Sequence, residues 1–195
     1  MSFDLLIERD FLDAATCERV VAEMRVARAA PATVYGRADA GESGESGAVD
    51  ERVRRTTRVF PSGETEGLVR RLLLGRLGAA GAHFGVRLGG LEEPQFLRYE
   101  VGGHFVAHQD GNTGLLRSER ESRRVSVVVL LNRQAETPAA GAYCGGSLVF
   151  HPRGAGEPLK LAGEPGMLVA FRAETTHEVT PVTHGERFSI ACWYR

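Results

Sequence analysis

The sequence contains no apolar run long enough to span a bilayer. Its opening residues, Met1 to Asp10, lack a basic stretch followed by a long hydrophobic one, so neither a membrane span nor a signal peptide is expected. Net charge is equally scarce. There are 24 Lys plus Arg against 25 Asp plus Glu, leaving −1, and such a surface offers no broad electrostatic footprint to nucleic acid or an anionic membrane. Two local basic clusters, Arg52 to Arg58 and Arg117 to Arg124, read as solvated loops. Cysteine is sparse as well. Cys17, Cys144 and Cys192 are far apart, with no Cys-x-x-Cys, which argues against a zinc ribbon and a disulfide framework. An odd count fits a reducing cytoplasm. No internal repeat is found.

What is present is the composition of one globular domain: 195 residues, 43% hydrophobic and 25% charged, enough for a substantial core. A strand is predicted over 5–8. After Asp13 as N-cap, the spacing of Cys17, Val20, Val21, Met24 and Ala27 predicts an amphipathic helix to about Arg28. Residues 36–50, rich in Gly, Ser and acid, read as a loop. A second helix is predicted from Glu64 to about Phe84, burying Leu68, Leu72, Leu73, Leu77 and Ala80. After Gly90 the character changes to short β-rich runs over 95–100, 104–108, 124–131, 147–151, 159–161, 167–172, 178–182 and 187–194, separated by turn-forming glycines. Helices followed by about eight strands indicate an α+β protein with a sandwich or jelly-roll core.

The chemistry is concentrated in Tyr99-Glu-Val-Gly-Gly-His-Phe-Val-Ala-His-Gln-Asp110. His108 and Asp110 are two residues apart in an extended segment, so their side chains point the same way and offer two metal ligands. Of the six histidines, His83 reads as structural, His104 sits at a strand entrance, and His151 and His184 border turns. An even offset would let His104 share the face of His108. His177 opens the run to Arg187, which reads as a strand, a turn at His184-Gly185 and a returning strand, bringing Arg187 back beside the start of its partner. Ser189 points to the same face as Arg187. Two histidines and one carboxylate form the facial triad of non-haem Fe(II) oxygenases. An arginine nearby suits an anionic co-substrate, because it pairs bidentately with a carboxylate.

The second half of the chain resembles the Fe(II)- and 2-oxoglutarate-dependent dioxygenases, most closely their prolyl 4-hydroxylase-like branch. Tyr99, Gly102, Phe105, His108 and Asp110 meet the first family motif. Arg124 to Asn132 and Gly145, Gly146 and Phe150 meet the next two, and Glu164 to Phe171 matches the entry to the later core strands. His177, Pro181, Val182, Gly185 and Arg187 meet the last, with Trp193 in the closing strand. Residues 95 to 195 carry these matches in family order. The helix start at Asp13 to Cys17 resembles the N-terminal region of the family.

The resemblance implies one dioxygenase domain over 1–195, with a helical part to about 90 and a double-stranded β-helix core from about 91, its helices packed on one sheet. It implies Fe(II) held by His108, Asp110 and His177, and 2-oxoglutarate held by Arg187, Ser189 and Tyr99, with O2 as oxidant and ascorbate as reductant. Related halogenases lack the carboxylate, so Asp110 favours hydroxylation or another ordinary oxidation. The implied substrate is a peptidyl proline, a free amino acid or a small metabolite, selected by the loops over 111–123 and 133–144. Arg124 serves the substrate or braces the sheet. His104, Cys144 and Trp193 read as structural. A nucleic-acid demethylase on this scaffold is an alternative, but Trp193 stands where that branch carries a second arginine. A non-catalytic metal-binding jelly roll is another.

Overall fold

The computed structural model describes residues 3–34, 49–111 and 123–195. The stretch expected as a loop over 36–50 lies outside the described residues except for its last two, as does the basic cluster at 117–124 apart from Arg123 and Arg124. The first elements are β1 (Leu5–Glu8) and α1 (Ala14–Val26), followed by β2 (Arg28–Pro31), β3 (Arg54–Arg55) and β4 (Thr57–Phe60). The Asp13 carboxylate accepts from the Thr16 amide at 2.7 Å, a cap worth about 1 kcal/mol. Helix α1 buries Cys17, Val20, Val21 and Met24, as their spacing indicates.

The long second helix expected from Glu64 to Phe84 is two helices, α2 (Gly63–Leu74) and α3 (Leu77–Phe84). Glycine is a poor helix former, and the break falls at Gly75. Arg76 beyond it donates to Glu8 at 2.8 Å through Nε and at 2.6 Å through Nη2, tying the break to the edge of a sheet. The buried face of α2 is correspondingly Thr65, Val69 and Leu73, and Leu68 is only half-buried.

Ten strands follow: β5 (Gln95–Tyr99), β6 (His104–His108), β7 (Val125–Leu130), β8 (Cys144–Gly145), β9 (Leu148–Phe150), β10 (Leu159–Leu161), β11 (Leu168–Arg172), β12 (His177–Val179), β13 (Val182–His184) and β14 (Arg187–Tyr194). A seven-stranded sheet runs β1-β11-β7-β14-β5-β4-β2, a five-stranded one β10-β9-β12-β6-β3, and β13 pairs with β8. Among the described residues, all pairings between these strands are antiparallel. The result is α+β with a jelly-roll core. The strand expected over 5–8 is β1, but the N-terminal part is less purely helical than expected, since β2 and β4 also extend the larger sheet and β3 the smaller.

Alternation on the larger sheet separates two environments. On β14, Phe188, Ile190, Cys192 and Tyr194 join the core that also contains α1, α2 and α3 residues. Arg187, Ser189, Ala191 and Trp193 instead line a cavity between the sheets. On β7, Val125, Val127 and Val129 belong to the same helix-side core, while Ser126 meets the inter-sheet side.

The run 178–182 is not one strand, and His177 and Arg187 do not form a hairpin. Strand β12 belongs to the smaller sheet, β14 to the larger, and β13 between them pairs with β8. Arg187 lies opposite Tyr99 rather than opposite His177. The chain crosses from one sheet to the other between the two residues, so they face each other through the sandwich.

Candidate active site

The backbone brings His108, Asp110 and His177 together. Their ligand atoms all lie within 4.8 Å of one another. His177 is directly opposite His108 in the β12–β6 ladder, with ring centroids 4.2 Å apart. That ladder has a register shift between Phe105 and His108. A bulge re-aims the residues beyond it, and here Phe105 stacks on His108 at 3.6 Å despite its odd offset. The face that His104 was expected to share with His108 therefore goes to Phe105. His104 instead contacts the Gly102 carbonyl at 3.1 Å and is absent from the ligand cluster.

Strand β6 ends at His108, so Asp110 is positioned otherwise than by simple alternation. The amides of Asp110 and Gly111 both donate to the Ala173 carbonyl, at 2.9 Å each. This carries the carboxylate across to the larger sheet, where Ser126 Oγ donates to Asp110 Oδ2 at 2.7 Å.

Each imidazole has one nitrogen tied down. His108 Nδ1 contacts the Val106 carbonyl at 2.8 Å and His177 Nδ1 the Thr175 carbonyl at 2.9 Å. Since a carbonyl only accepts, both Nδ1 atoms carry the proton. Nε2 is then left as the lone-pair donor. These Nε2 atoms lie 3.6 Å and 3.5 Å from the two oxygens of Asp110. Burial pushes the His177 pKa down to about 4 against the pull of Asp110, so this ring is neutral at pH 7. Burial pushes the Asp110 carboxyl up, but the two imidazoles facing it and the hydroxyl donated by Ser126 outweigh that and hold the group below the usual carboxylate range. Neutral imidazoles and an ionised carboxylate are the donor set a divalent iron needs.

Across the cavity, Arg187 is 1% exposed. Its Nη1 donates to Ser189 Oγ at 2.8 Å, its guanidinium carbon lies 5.0 Å from the Tyr99 ring centroid, and its buried Nε has no partner. Tyr99, 2% exposed, thus contributes its ring face to Arg187. Its hydroxyl is turned toward Arg54.

Residues 94–195 match the family described as the 2OG-Fe(II) oxygenase superfamily. The chain belongs to that superfamily. The description of that superfamily names Fe(II) and 2-oxoglutarate. Within it, the chain is similar to a PKHD-type hydroxylase of Paracoccus denitrificans (strain Pd 1222), at 36% identity over 102 residues, covering 51% of this chain and 41% of that protein. A PKHD-type hydroxylase of Shewanella oneidensis is 33% identical over 105 residues, with the same coverage. The chain spans less than half the length of these curated relatives. Its fold is that of a Pseudomonas putida prolyl-4-hydroxylase, with a TM-score of 0.69 and 24% identity over 100% of this chain and 94% of that one. A prolyl hydroxylase from Trichoplax adhaerens, solved with a hypoxia inducible factor peptide, has a TM-score of 0.76 and 17% identity over 99% and 84%.

Three residues of this 2OG-Fe(II) oxygenase site escaped the sequence reading. Ser126 is one, and its signal was a lone hydroxyl inside Val-Ser-Val-Val-Val-Leu. Tyr143 is the second. Burial pushes its phenol up while the Arg187 guanidinium facing it pulls the other way. The turn behind it leaves no room: a Cβ on Gly146, whose φ is +58°, would lie 3.0 Å from Arg187 Cδ and 3.2 Å from Tyr143 Cε2. Residues 133–144 therefore carry a phenol to the Arg187 end. Gln134 tethers them to the Gly145 carbonyl at 2.8 Å and Ser147 Oγ at 2.6 Å.

The third is Arg54, expected in a solvated loop and found on β3, 7% exposed. Short strand pairing hides it: Arg54 lies opposite Phe105 at the edge of the smaller sheet. Trp193, expected to be structural, borders the cavity, with Arg123 stacked on it at 3.7 Å. Arg124 bonds through its backbone to Tyr194 and Ala173, bracing the larger sheet.

Proposed function

We propose that the protein is a hydroxylase that inserts one oxygen atom into a C–H bond of an amino-acid-type substrate: a peptidyl proline, as the names of the fold relatives suggest, or a free amino acid or related metabolite. His108, Asp110 and His177 would hold the metal. Iron(II) bound there supplies the redox chemistry in which 2-oxoglutarate, O2 and substrate R–H become succinate, CO2 and R–OH. The observation that carries this reading is the convergence of three ligand atoms within 4.8 Å, with both imidazoles locked in the Nδ1–H tautomer.

The protein's own residues bind, orient and shelter. Arg187 pairs with the far carboxylate of 2-oxoglutarate through the edge that includes its unpartnered Nε. Ser189 accepts from Arg187 and still has its own hydroxyl hydrogen to donate to that carboxylate. Tyr99 supports the guanidinium from below, and Tyr143 adds a phenol at the same end. Phe171, 4.6 Å from the His177 ring and edge-on to it, excludes water behind that ligand. Ser126 holds Asp110 in its orientation.

The helical part to about 90 and the β core act as one domain in this reading, because β1 to β4 are built into the core sheets. No helix of the described residues is long and apolar enough to cross a membrane. The three buried, unpaired cysteines suit a reducing compartment such as the cytoplasm, and nucleic acid is not among the proposed partners. The test is incubation with Fe(II), 2-oxoglutarate, ascorbate and O2, with amino acids, metabolites and peptides screened by mass spectrometry. Formation of succinate together with a product heavier by one oxygen atom is expected. Failure of 2-oxoglutarate to bind in the presence of Fe(II) would overturn the reading.

A further inference from the structure

Two cavities meet at the triad. One, of about 50 Å³, runs from His108, Asp110 and His177 to Arg187. The other, of about 110 Å³, shares Arg54, Phe105, His108, Asp110 and Trp193 with the first and opens away from Arg187 toward Val34, Gln95 and Arg123. If 2-oxoglutarate occupies the first, the second is where a C–H bond can approach the metal ligands.

Arg54 stands in the wall common to both. Its guanidinium carbon lies 4.9 Å from the Phe105 ring centroid, and that ring stacks on His108. Nη1 donates to the Thr33 carbonyl at 3.2 Å, Nη2 makes a long contact of 3.4 Å with Gln95 Oε1, and the Tyr99 hydroxyl also faces the guanidinium. The buried Nε has no partner. Among the described residues no carboxylate lies within 4.0 Å of it. Arg123, the other arginine in this wall among the described residues, is already held by Glu92 at 2.9 Å and 2.8 Å. Nε–H is left over, and beside it stands Nη2, which Gln95 holds only at long range. These lie side by side along one edge of the guanidinium, the edge that grips a carboxylate with two parallel hydrogen bonds.

The charges agree with this. Asp110 cancels one of the two buried arginines, and the charges of Fe(II) and 2-oxoglutarate cancel each other. One buried cation is left over, a costly arrangement unless a carboxylate pairs with it directly.

We propose that Arg54 binds the carboxylate of the primary substrate, making this a hydroxylase of a free carboxylate-bearing amino acid rather than of an internal peptidyl residue. The inference rests on the function proposed above. A residue within a peptide chain presents amides to Arg54 and leaves its charge unpaired, whereas a free acid satisfies it.

The test measures binding without turnover. Wild-type protein is loaded with Fe(II) and 2-oxoglutarate without oxygen and titrated calorimetrically with L-amino acids and their carboxamides, then repeated with Arg54→Gln and Arg54→Lys. At least one acid is expected to bind roughly 10- to 100-fold more tightly than its amide. Arg54→Gln should abolish that preference, and Arg54→Lys, which keeps the charge but not the fork, should reduce it. 2-Oxoglutarate affinity should not change in either variant, which also reports that they fold. The proposal is overturned if no acid is preferred to its amide or if the preference survives Arg54→Gln. It is also overturned if Arg54→Gln weakens 2-oxoglutarate instead, placing the guanidinium on the co-substrate. Loss of 2-oxoglutarate binding by the wild type would be a different failure, that of the oxygenase reading itself.

Discussion

Arg187 and Arg54 are both nearly inaccessible, both leave Nε unpartnered, and both face an aromatic ring at about the same distance, yet their surroundings differ. Arg187 begins an eight-residue strand in the middle of the larger sheet, with Tyr99, Ser189 and Tyr143 around it. Arg54 sits on a two-residue strand at the edge of the smaller sheet, held by one carbonyl, one long amide contact and the Tyr99 hydroxyl facing it. A central strand is braced on both sides, whereas an edge has one neighbour. The contrast suits a co-substrate that never varies at one end and a substrate that differs between related enzymes at the other.

The largest expected effect removes what the two ends share. His108→Ala or His177→Ala should abolish Fe(II) binding in anaerobic titration, and with it the coupling of both cavities. Arg187→Ala comes next. It should weaken 2-oxoglutarate roughly 100-fold or more, because a buried charged pair loses one partner, while Fe(II) affinity is retained. An unchanged co-substrate affinity would dissolve the distinction between the two arginines. In an Arg54→Gln, Arg187→Ala double variant, 2-oxoglutarate should bind as weakly as in Arg187→Ala alone, since sites serving different ligands do not couple.

Smaller effects sharpen the contrast. Ser126→Ala frees one Asp110 oxygen and should lower Fe(II) affinity roughly tenfold, the scale for a partner of a metal ligand. Tyr143→Phe should weaken 2-oxoglutarate by roughly three- to tenfold, on the scale of one hydrogen bond, without altering Fe(II) binding. The metal-free protein should also lose stability as pH falls from about 6.5 toward 4. The unfolded chain takes a proton on His177 throughout that window and the native state resists it until about 4. Urea denaturation of metal-free protein at the two ends of the window should show the loss. His177→Gln should flatten it.

Much of this was legible in the residue pattern because the motifs obey local geometry. His108, Asp110, His177 and Arg187 stand out by type and spacing, and the single-residue alternation of β14 places Arg187 with Ser189. What was not legible depends on long-range pairing. The bulge that trades His104 for Phe105 is created by β12, some seventy residues later in the chain. The crossing of the chain between His177 and Arg187 looks the same in sequence as a hairpin. Arg54 is hidden only because β6 happens to be its neighbour, so its own basic surroundings pointed to solvent. The split at Gly75 had a local signal in the glycine, but the tie from Arg76 to Glu8 did not.

The two neighbouring amides that share the Ala173 oxygen act as a rivet where one β layer meets the other. An ion gripped by Asp110 would pull on that rivet from the opposite layer through the imidazoles, so loading the metal should stiffen the seam well beyond its own ligands. Hydrogen–deuterium exchange at Asp110, Gly111 and the end of β11 should slow together when iron is added, and should quicken together when it is chelated away.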